Sequence, residues 1–278
     1  MIALIYRKVS RVLSGHGIGN NKMLLAIDTK IKQKILNGKP PEKVSFQGHV
    51  LFIGKKDEMG LSVNEFYEGS TTALIRNTLR SGDIAVDIGA NIGYFTIIMS
   101  ELVGEKGKVF AFEPEPENFS LLEKNIQANK YQNIAVAERK AVSDFNGQSV
   151  LFLSKRGSGW HTMRGPQNGS SVKIKCTTLD NYFKNFKGEI SLIKMDIEGL
   201  EPQAVKGMLK MIKNKRIKKM IVEYAPSYYR DPSELLTILK KLGFRMYDID
   251  YNMEEITEFK KVTERHQRHT NVYCIRCK

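Results

Sequence analysis

The segment VDIGANIGYF, residues 86–95, places a carboxylate and two glycines at the end of an apolar run, just before a helical pattern begins. Asp87, Gly89, Asn91 and Gly93 therefore meet at a predicted strand-to-helix corner. Glycine there lets the backbone pass close to a ligand, and nucleotide-like ligands bind at such corners in parallel sheets. The segment predicts a binding site for a small molecule that contains a nucleoside.

The spacing of these residues discriminates between two kinds of nucleoside ligand. The dinucleotide fingerprint GxGxxG needs a second glycine beside the pyrophosphate, but Asn91 follows Gly89 here and the next glycine is Gly93. The Asp87 carboxylate would also repel a pyrophosphate. S-adenosylmethionine has no phosphate and carries an ammonium and a sulfonium, which a carboxylate attracts. Asn91 tolerates left-handed backbone angles and offers an amide, so S-adenosylmethionine is the predicted cofactor.

Two later strands supply the remaining cofactor contacts. Glu113 ends the next strand, FAFEPEP, where a carboxylate can accept hydrogen bonds from both ribose hydroxyls; the alternative is an ordinary exposed acid. The third strand closes with AVSD, residues 141–144. We expect Val142 to pack on the adenine ring and Asp144 to accept from its amine, although SD is also a common turn sequence.

A third chemical pattern lies in the strand SLIKMDIEGLE. Alternation in an extended strand puts Lys194, Asp196 and Glu198 on one side, at the end that meets the cofactor. Methyl transfer to an alcohol needs a general base, and Asp196 is the first candidate, as base or as a carboxylate that orients the acceptor. Lys194 then lowers the acceptor's pKa or neutralises Asp196, and Glu198 assists or caps the next helix. A buried ion pair is the structural alternative. A divalent ion held by Asp196, Glu198 and one further acid is not favoured.

The glycine-rich loop of residues 154–171 is a candidate acceptor site. Trp160 could stack on a sugar ring, and His161 could be the general base in place of Asp196. The alternatives are a tryptophan at the edge of the core and an exposed histidine. Tyr224, at the end of the fifth strand, is expected to line the acceptor pocket.

The elements that must position these residues alternate from residue 83 onward. Buried-type strands are followed by helices of ten or more residues, which predicts a doubly wound α/β fold with a mostly parallel sheet and helices on both faces. Residues 1–38 read as helical and 44–54 as a short hairpin or flap. We therefore predict an N-terminal helical and β extension over 1–60, and a second domain over 61–278 with an insertion at 147–178.

Taken together, GDIAVDIGANIGYFT, FAFEPEPENFSLLEKN, KAVSDFNG, TTLDNYF and LIKMDIEGLEPQAVKG resemble the FkbM-type methyltransferases. The resemblance runs from about residue 60 to 225. It implies a seven-stranded Rossmann-like sheet with a reversed final hairpin, and O-methylation of sugars or natural products. It adds Ala90, Pro114 and Asp196 to the expected cofactor contacts. Glu68 matches an acidic position upstream of the glycine corner, expected at the cofactor's amino group, with a helix-start acid as the alternative.

The composition of the chain bears on its compartment, on contact with membranes and on the class of its substrate. The 278 residues carry a net charge of +14 and three cysteines, which suggests a reducing, cytoplasmic setting. No apolar run is long enough for a membrane span, although the basic N-terminus could rest on an anionic membrane. The basic charge permits a nucleic-acid methyltransferase as the alternative function, and a non-catalytic cofactor-binding protein is a third. The expected substrate is a small molecule or glycan, and the sequence does not determine the oligomeric state.

Overall fold

The computed structural model describes residues 34, 41–55, 57, 59–62, 64, 67–154, 161–163, 165, 170–266 and 269–276. By their contacts these residues divide into two compact units, the first ending at Gly69 and the second beginning at Ser70. The predicted helix over residues 1–38 lies outside the described residues except for position 34, and Trp160 also lies outside them.

The first unit contains an antiparallel hairpin of β1 (Lys43–Phe46) and β2 (His49–Phe52). Gln47 and Gly48 connect the strands with φ values of +48° and +87°, the left-handed angles of a tight hairpin turn. Alternation buries Val44 and Phe46 on one side of β1. The hairpin, residues 43–52, overlaps the segment 44–54 in which the sequence predicts one.

The second unit is built on a sheet of eight strands in which five consecutive neighbours, ending at one edge of the sheet, are parallel. The strand after them reverses and is antiparallel to both of its neighbours, as the predicted reversed hairpin requires. Seven strands were expected, and the eighth is a two-residue strand at the edge. In spatial order the strands are β12 (Glu254–Glu255), β11 (Phe244–Asp248), β13 (Thr270–Arg276), β10 (Lys219–Tyr224), β9 (Leu192–Met195), β3 (Ile84–Ile88), β4 (Lys108–Phe112) and β5 (Ala135–Glu138).

Helices alternate with these strands, as expected for a doubly wound α/β fold. The local sequence defines some of their ends: Pro116 stands in the first turn of α3, and the Glu115 side chain caps that helix by accepting from the Asn118 amide at 2.6 Å. The helices are α1 (Gly69–Thr78), α2 (Tyr94–Val103), α3 (Pro116–Ala128), α4 (Leu179–Tyr182), α5 (Glu201–Lys206), α6 (Leu209–Lys213), α7 (Glu234–Lys241) and α8 (Phe259–Arg265), with a 3₁₀ turn at Pro226–Tyr228.

Two elements differ from the sequence prediction. The strand SLIKMDIEGLE is followed by two short helices, α5 and α6, separated at Gly207. The alternation of strands and helices predicts a single longer helix there. A Cβ at this glycine would lie 1.9 Å from the Ser143 carbonyl oxygen, so the chain needs glycine where it passes the neighbouring loop. The predicted third strand is also divided, because the Lys140 amide bonds to the Glu138 carbonyl at 2.8 Å and turns the chain after β5.

The segment after this turn leaves the main sheet and forms a small one. Its strands are β6 (Ala141–Val142), β7 (Gly147–Phe152) and β8 (Ser171–Thr177), in the order β6-β8-β7. Leu151, Ile174 and Cys176 pack together on one face, while Lys173 and Lys175 are exposed. Among the residues that the structure describes, no helix combines the length and apolarity needed to cross a bilayer.

Candidate active site

The glycine corner forms where three loops of the second unit meet. The Gly89 and Ala90 amides both donate to the Phe112 carbonyl oxygen at 3.0 Å, which joins the ends of β3 and β4. A Cβ on Gly89 would lie 1.8 Å from the Asp196 carbonyl oxygen, so the loop after β9 rests directly on this glycine. Gly89, Asn91 and Gly93 all have positive φ, at +80°, +51° and +95°. The corner therefore adopts the left-handed angles that its residue types favour.

Asp87 lies behind this corner and has no exposed surface. One carboxylate oxygen accepts from the Thr96 hydroxyl at 2.6 Å, which ties β3 to α2, and the other has no partner among the described residues. Burial raises the pKa of Asp87, and the nearby Lys194 ammonium counteracts part of that rise. Since the carboxylate is enclosed, its predicted role at the cofactor's methionine end would have to be electrostatic rather than by direct contact.

Glu113 is held rigidly at the end of β4. Its two carboxylate oxygens accept from the Asn91 amide at 2.8 Å and from the Glu115 amide at 2.9 Å. Burial raises the pKa of Glu113 to about 7, because the two amide hydrogen bonds only partly compensate for lost hydration. The adjacent Pro114 is half-buried. The structure therefore brings Glu113, the residue predicted to bind the ribose, into contact with the glycine corner.

The residues predicted at the adenine ring lie in the small sheet. Val142 pairs with Thr177 and is only 2% exposed, packed in the main core. Asp144 is exposed and accepts from the Ser143 hydroxyl at 3.2 Å. In this conformation Val142 has little surface left for a ring, whereas Asp144 remains accessible.

The charged residues of the fourth strand are brought together, but not in the way that alternation predicts. β9 ends at Met195, and Glu198 has a φ of +54°, so the three side chains do not follow one extended strand. Lys194 is buried, lies 4.8 Å from the Phe95 ring centroid, and donates to Asp196 at 3.0 Å. Glu198 accepts from the Tyr228 hydroxyl at 2.8 Å.

Two further acids join this group, and sequence reasoning missed both. Glu223, on the neighbouring β10, has a buried carboxylate oxygen without a partner in the described structure, and oxygens of Asp196, Glu198 and Glu223 lie within 4.8 Å of one another. Glu201 accepts from the Ile197 and Gly199 amides at 3.0 and 3.2 Å and shapes the loop. A glutamate inside the apolar strand KMIVEYA was the available signal, because an unpaired buried charge is costly.

The environment separates the pKa values of these acids. Although burial alone would raise it, the Lys194 ammonium holds the pKa of Asp196 below its usual range. Burial, reinforced by the Asp196 charge, raises the pKa of Glu198 to about 8 and that of Glu223 well above its usual range. Near neutral pH the Lys194–Asp196 pair is therefore ionised, and Glu198 largely retains its proton. Glu198, which is partly exposed, can exchange a proton close to neutral pH.

The same oxygens could also bind a hard divalent cation, since Mg²⁺ prefers carboxylate ligands. Lys194 already places one positive charge against Asp196, which weakens the case for a second cation. The cluster therefore does not alter the preference for a site without a metal.

Two of the residues predicted to contact the acceptor, Tyr224 and His161, lie in different surroundings. Tyr224 is a core residue and not a pocket residue: it is fully buried, and its hydroxyl donates to the Pro232 carbonyl at 2.8 Å and lies 2.7 Å from the Thr263 hydroxyl. His161 is half-buried and accepts from the Ser154 amide at 3.0 Å through Nδ1. Glu68 belongs to the first unit, with a φ of +44°, and its predicted cofactor contact stays a prediction.

A doubly wound sheet with this strand order, a glycine corner and an acid at the end of the next strand defines a class I S-adenosylmethionine-dependent methyltransferase. The family model described as "Methyltransferase FkbM domain" matches residues 87–246, more than half of the chain. The chain belongs to the FkbM methyltransferase family, and its cofactor is S-adenosylmethionine. The resemblance seen in the sequence is confirmed.

Two curated methyltransferases are similar to this chain over more than half of its length. Hexuronic acid methyltransferase AglP from Haloferax volcanii is 26% identical over 178 residues, which cover 63% of this chain and 68% of that protein. Methyltransferase sdnD from Sordaria araneosa is 27% identical over 227 residues, covering 68% and 83%. Among solved structures, an S-adenosylmethionine-dependent O-methyltransferase (TM0748) from Thermotoga maritima aligns with a TM-score of 0.45 and 15% identity, covering 92% of this chain and 82% of its own.

Proposed function

We propose that this methyltransferase acts on a hydroxyl group of a carbohydrate, a glycolipid or a secondary metabolite. The observation that carries the proposal is the cluster of Asp196, Glu198 and Glu223, whose oxygens lie within 4.8 Å of one another beside the glycine corner. An alcohol loses its proton only at very high pH in water, so its methylation needs a base close to the cofactor. Two carboxylates at this spacing also suit the adjacent hydroxyls of a sugar.

In the proposed mechanism Asp196 and Glu198 have separate roles. Asp196 stays ionised beside Lys194 and orients the acceptor by accepting a hydrogen bond from a neighbouring hydroxyl. Glu198 accepts the proton that the reacting hydroxyl loses. When bound, S-adenosylmethionine supplies an electrophilic methyl group on its sulfonium. This assignment revises our sequence-based preference for Asp196 as the base, because its ion pair with Lys194 makes it the weaker proton acceptor.

The cofactor end of the site follows the same logic. Glu113 would accept hydrogen bonds from the ribose hydroxyls, since its carboxylate is fixed by two backbone amides at the glycine corner. The ionisable groups around this corner are Asp87, Lys194 and the carboxyl cluster of Asp196, Glu198 and Glu223. One relative supports a carbohydrate acceptor, since it is named as a methyltransferase of a hexuronic acid.

The decisive experiment is a screen of acceptors with S-adenosylmethionine labelled on its methyl group. We expect label on neutral or acidic oligosaccharides, lipid-linked glycans or hydroxylated metabolites, with or without a chelator. Label on total RNA alone would overturn the proposal, and cofactor binding without transfer to any acceptor would favour a non-catalytic protein. Asp196→Asn should retain cofactor binding and lose turnover, and His161→Gln tests whether the loop histidine is the base instead.

A further inference from the structure

The end of the main sheet that lies opposite the active site is strongly basic. Because β3, β4, β5, β9 and β10 are parallel, the segments that precede them meet at one end of the sheet, and those that follow them meet at the other. Eight exposed lysines lie in or next to the preceding segments, and we call this group the basic end. Its members are Lys106, Lys108, Lys130, Lys184, Lys187, Lys213, Lys215 and Lys218.

Backbone contacts hold part of the basic end together. The Arg216 guanidinium donates to the Phe183 and Gly188 carbonyl oxygens at 3.4 and 3.1 Å, and also to that of Phe186, so the loop before β9 is fixed against the loop before β10. The Arg276 amide donates to the Lys218 carbonyl at 3.2 Å. Arg216 is thus occupied by the fold itself, and the lysines on either side of it are gathered on adjoining loops.

Few acids compensate this charge. In the segments that precede the five strands, the acids are Asp83, Glu105 and Glu189. Within the part of the chain that the structure describes, Lys218 is the only member of the basic end with an ion pair, to Glu189 at 2.7 Å. Both side chains of that pair are more than half exposed, so it contributes little and neutralises only one lysine.

The opposite end of the sheet is rich in acids instead. The segments that follow the same five strands, residues 89–93, 113–117, 139–146, 196–201 and 225–234, carry nine acids and three cations. Lysines that few acids neutralise therefore lie on the side of the sheet away from the site. An anionic surface would attract the basic end and leave the carboxyl ends of the strands facing outward.

We propose that the basic end docks on the anionic lipid headgroups of a membrane surface, with the active site turned away from the bilayer. Apart from Arg80, whose guanidinium donates to the Arg76 and Leu79 carbonyl oxygens, the exposed cations in these segments are lysines, which attract lipid headgroups as point charges without a fixed geometry. Nucleic acid is the less suitable polyanion. The most exposed aromatic side chains among the described residues, Phe145 and Tyr251, follow β6 and β11. At the basic end Tyr131 and Phe186 are half-buried, and the Arg216 guanidinium lies against the Phe186 ring, so little ring surface is left on which bases could stack. This proposal does not depend on the assigned base, and with the site turned away from the bilayer it favours a soluble acceptor over a glycolipid of the same membrane.

Vesicle co-sedimentation of the full chain tests the proposal. We expect binding to vesicles of phosphatidylcholine with phosphatidylserine, none to phosphatidylcholine alone, and loss of binding at high salt. A variant with Lys184→Gln, Lys187→Gln, Lys215→Gln and Lys218→Gln should lose at least about tenfold in partitioning, since each lysine near the headgroups contributes. Methyl transfer to a soluble acceptor should be unchanged, which shows that the variant is folded.

A second variant separates location from total charge. Lys124→Gln, Lys173→Gln, Lys175→Gln and Lys260→Gln remove the same charge from exposed positions outside the basic end. We expect this control to keep its partitioning. Equal losses in both variants, undiminished binding of the basic-end variant, or binding without preference for anionic vesicles would overturn the proposal. Binding of RNA by the same lysines would also overturn it. Total RNA would then displace the protein from vesicles, and the basic-end variant, but not the control variant, would fail to bind RNA.

Discussion

At the scale of single residues, neighbouring carboxyl groups of the same site differ in their proton affinity. Asp196 is paired with Lys194, whereas Glu198 lies in a poorly hydrated position beside the Asp196 charge. The first arrangement favours the ionised form and the second the protonated form. On this difference rests our proposal that Asp196 orients the acceptor and Glu198 accepts its proton.

The pH dependence of turnover tests this assignment. Since the pKa of Glu198 is raised to about 8, the base is protonated below that pH, and we expect kcat to rise with pH and level off above about 8. Glu198→Gln should lower kcat by about 10²–10⁴-fold and remove the rising limb. Glu189→Gln, at an exposed position in the opposite end of the sheet, is the matched control. An unchanged profile in Glu198→Gln would show that another group accepts the proton.

Glu113 gives a second prediction, for cofactor affinity. Its pKa of about 7 means that the ionised form, which accepts hydrogen bonds from the ribose, becomes dominant as the pH rises through 7. Binding of S-adenosylmethionine, measured by calorimetry, should therefore strengthen over this range. Glu113→Gln should cost about 1–3 kcal/mol of binding free energy, the range for buried polar groups that lose their partners. Glu117→Gln, which changes an exposed neighbour, should bind normally; equal affinities for all three proteins would refute the ribose contact.

At the scale of elements, the site depends on how closely three loops approach one another. Gly89 lets the loop after β9 lie on the end of β3, and Gly207 lets the break between α5 and α6 pass the loop after β6. Gly199 has a similar role, because a Cβ there would lie 2.7 Å from the Tyr228 Cβ. These glycines set how closely the loops that carry the proposed catalytic and cofactor-binding residues approach one another.

Alanine at Gly89 tests this dependence. The substitution adds a left-handed backbone conformation for alanine and a clash with the Asp196 carbonyl, so we expect a loss of roughly 2–5 kcal/mol in the free energy of unfolding. Gly243 is a matched control, because it has a φ of +82° and open space around its Cβ position. Gly243→Ala should lose only about 1–2 kcal/mol, the conformational part alone. Denaturant unfolding measures both, and equal losses would show that the close approach is not needed.

At the scale of the whole molecule, buried acids make stability depend on pH. Burial raises the pKa of Asp87, Glu113, Glu198, Glu201 and Glu223 in the folded state. Between their ordinary pKa values and the raised ones, the folded chain binds more protons than the unfolded chain. Stability should therefore fall as pH rises, and for Glu113 and Glu198 the loss should extend through about 7 and 8. The lowered pKa of Asp196 opposes this trend only at acidic pH.

Thermal unfolding at constant ionic strength checks this prediction. The cofactor-free protein should have a higher Tm near pH 6 than near pH 8.5, and the double variant Glu113→Gln, Glu198→Gln should flatten the difference. Since the cofactor carries positive charge, its stabilising effect should grow with pH. A Tm that rises from pH 6 to 8.5 would show that burial does not raise the pKa of these acids in the folded protein.

The sequence by itself determined the class of this protein, because the features that define it are local. The corner of Asp87, Gly89, Asn91 and Gly93 and the Glu113 that follows it lie within one strand-helix-strand unit, so their spacing along the chain reflects their spacing in the fold. The alternation of strands and helices predicted the mostly parallel sheet for the same reason.

Only the tertiary structure decided which residues meet from separate segments. Glu223 joins Asp196 because β10 lies beside β9, Tyr224 is taken into the core by Pro232 and Thr263, and eight lysines from four segments collect at one end of the sheet. Strand order and the path of each loop set these distances, and pKa values follow from burial and neighbouring charges that are remote in the chain. A linear sequence displays residue types and local periodicity, whereas proximity across a sheet arises only when the strands pack.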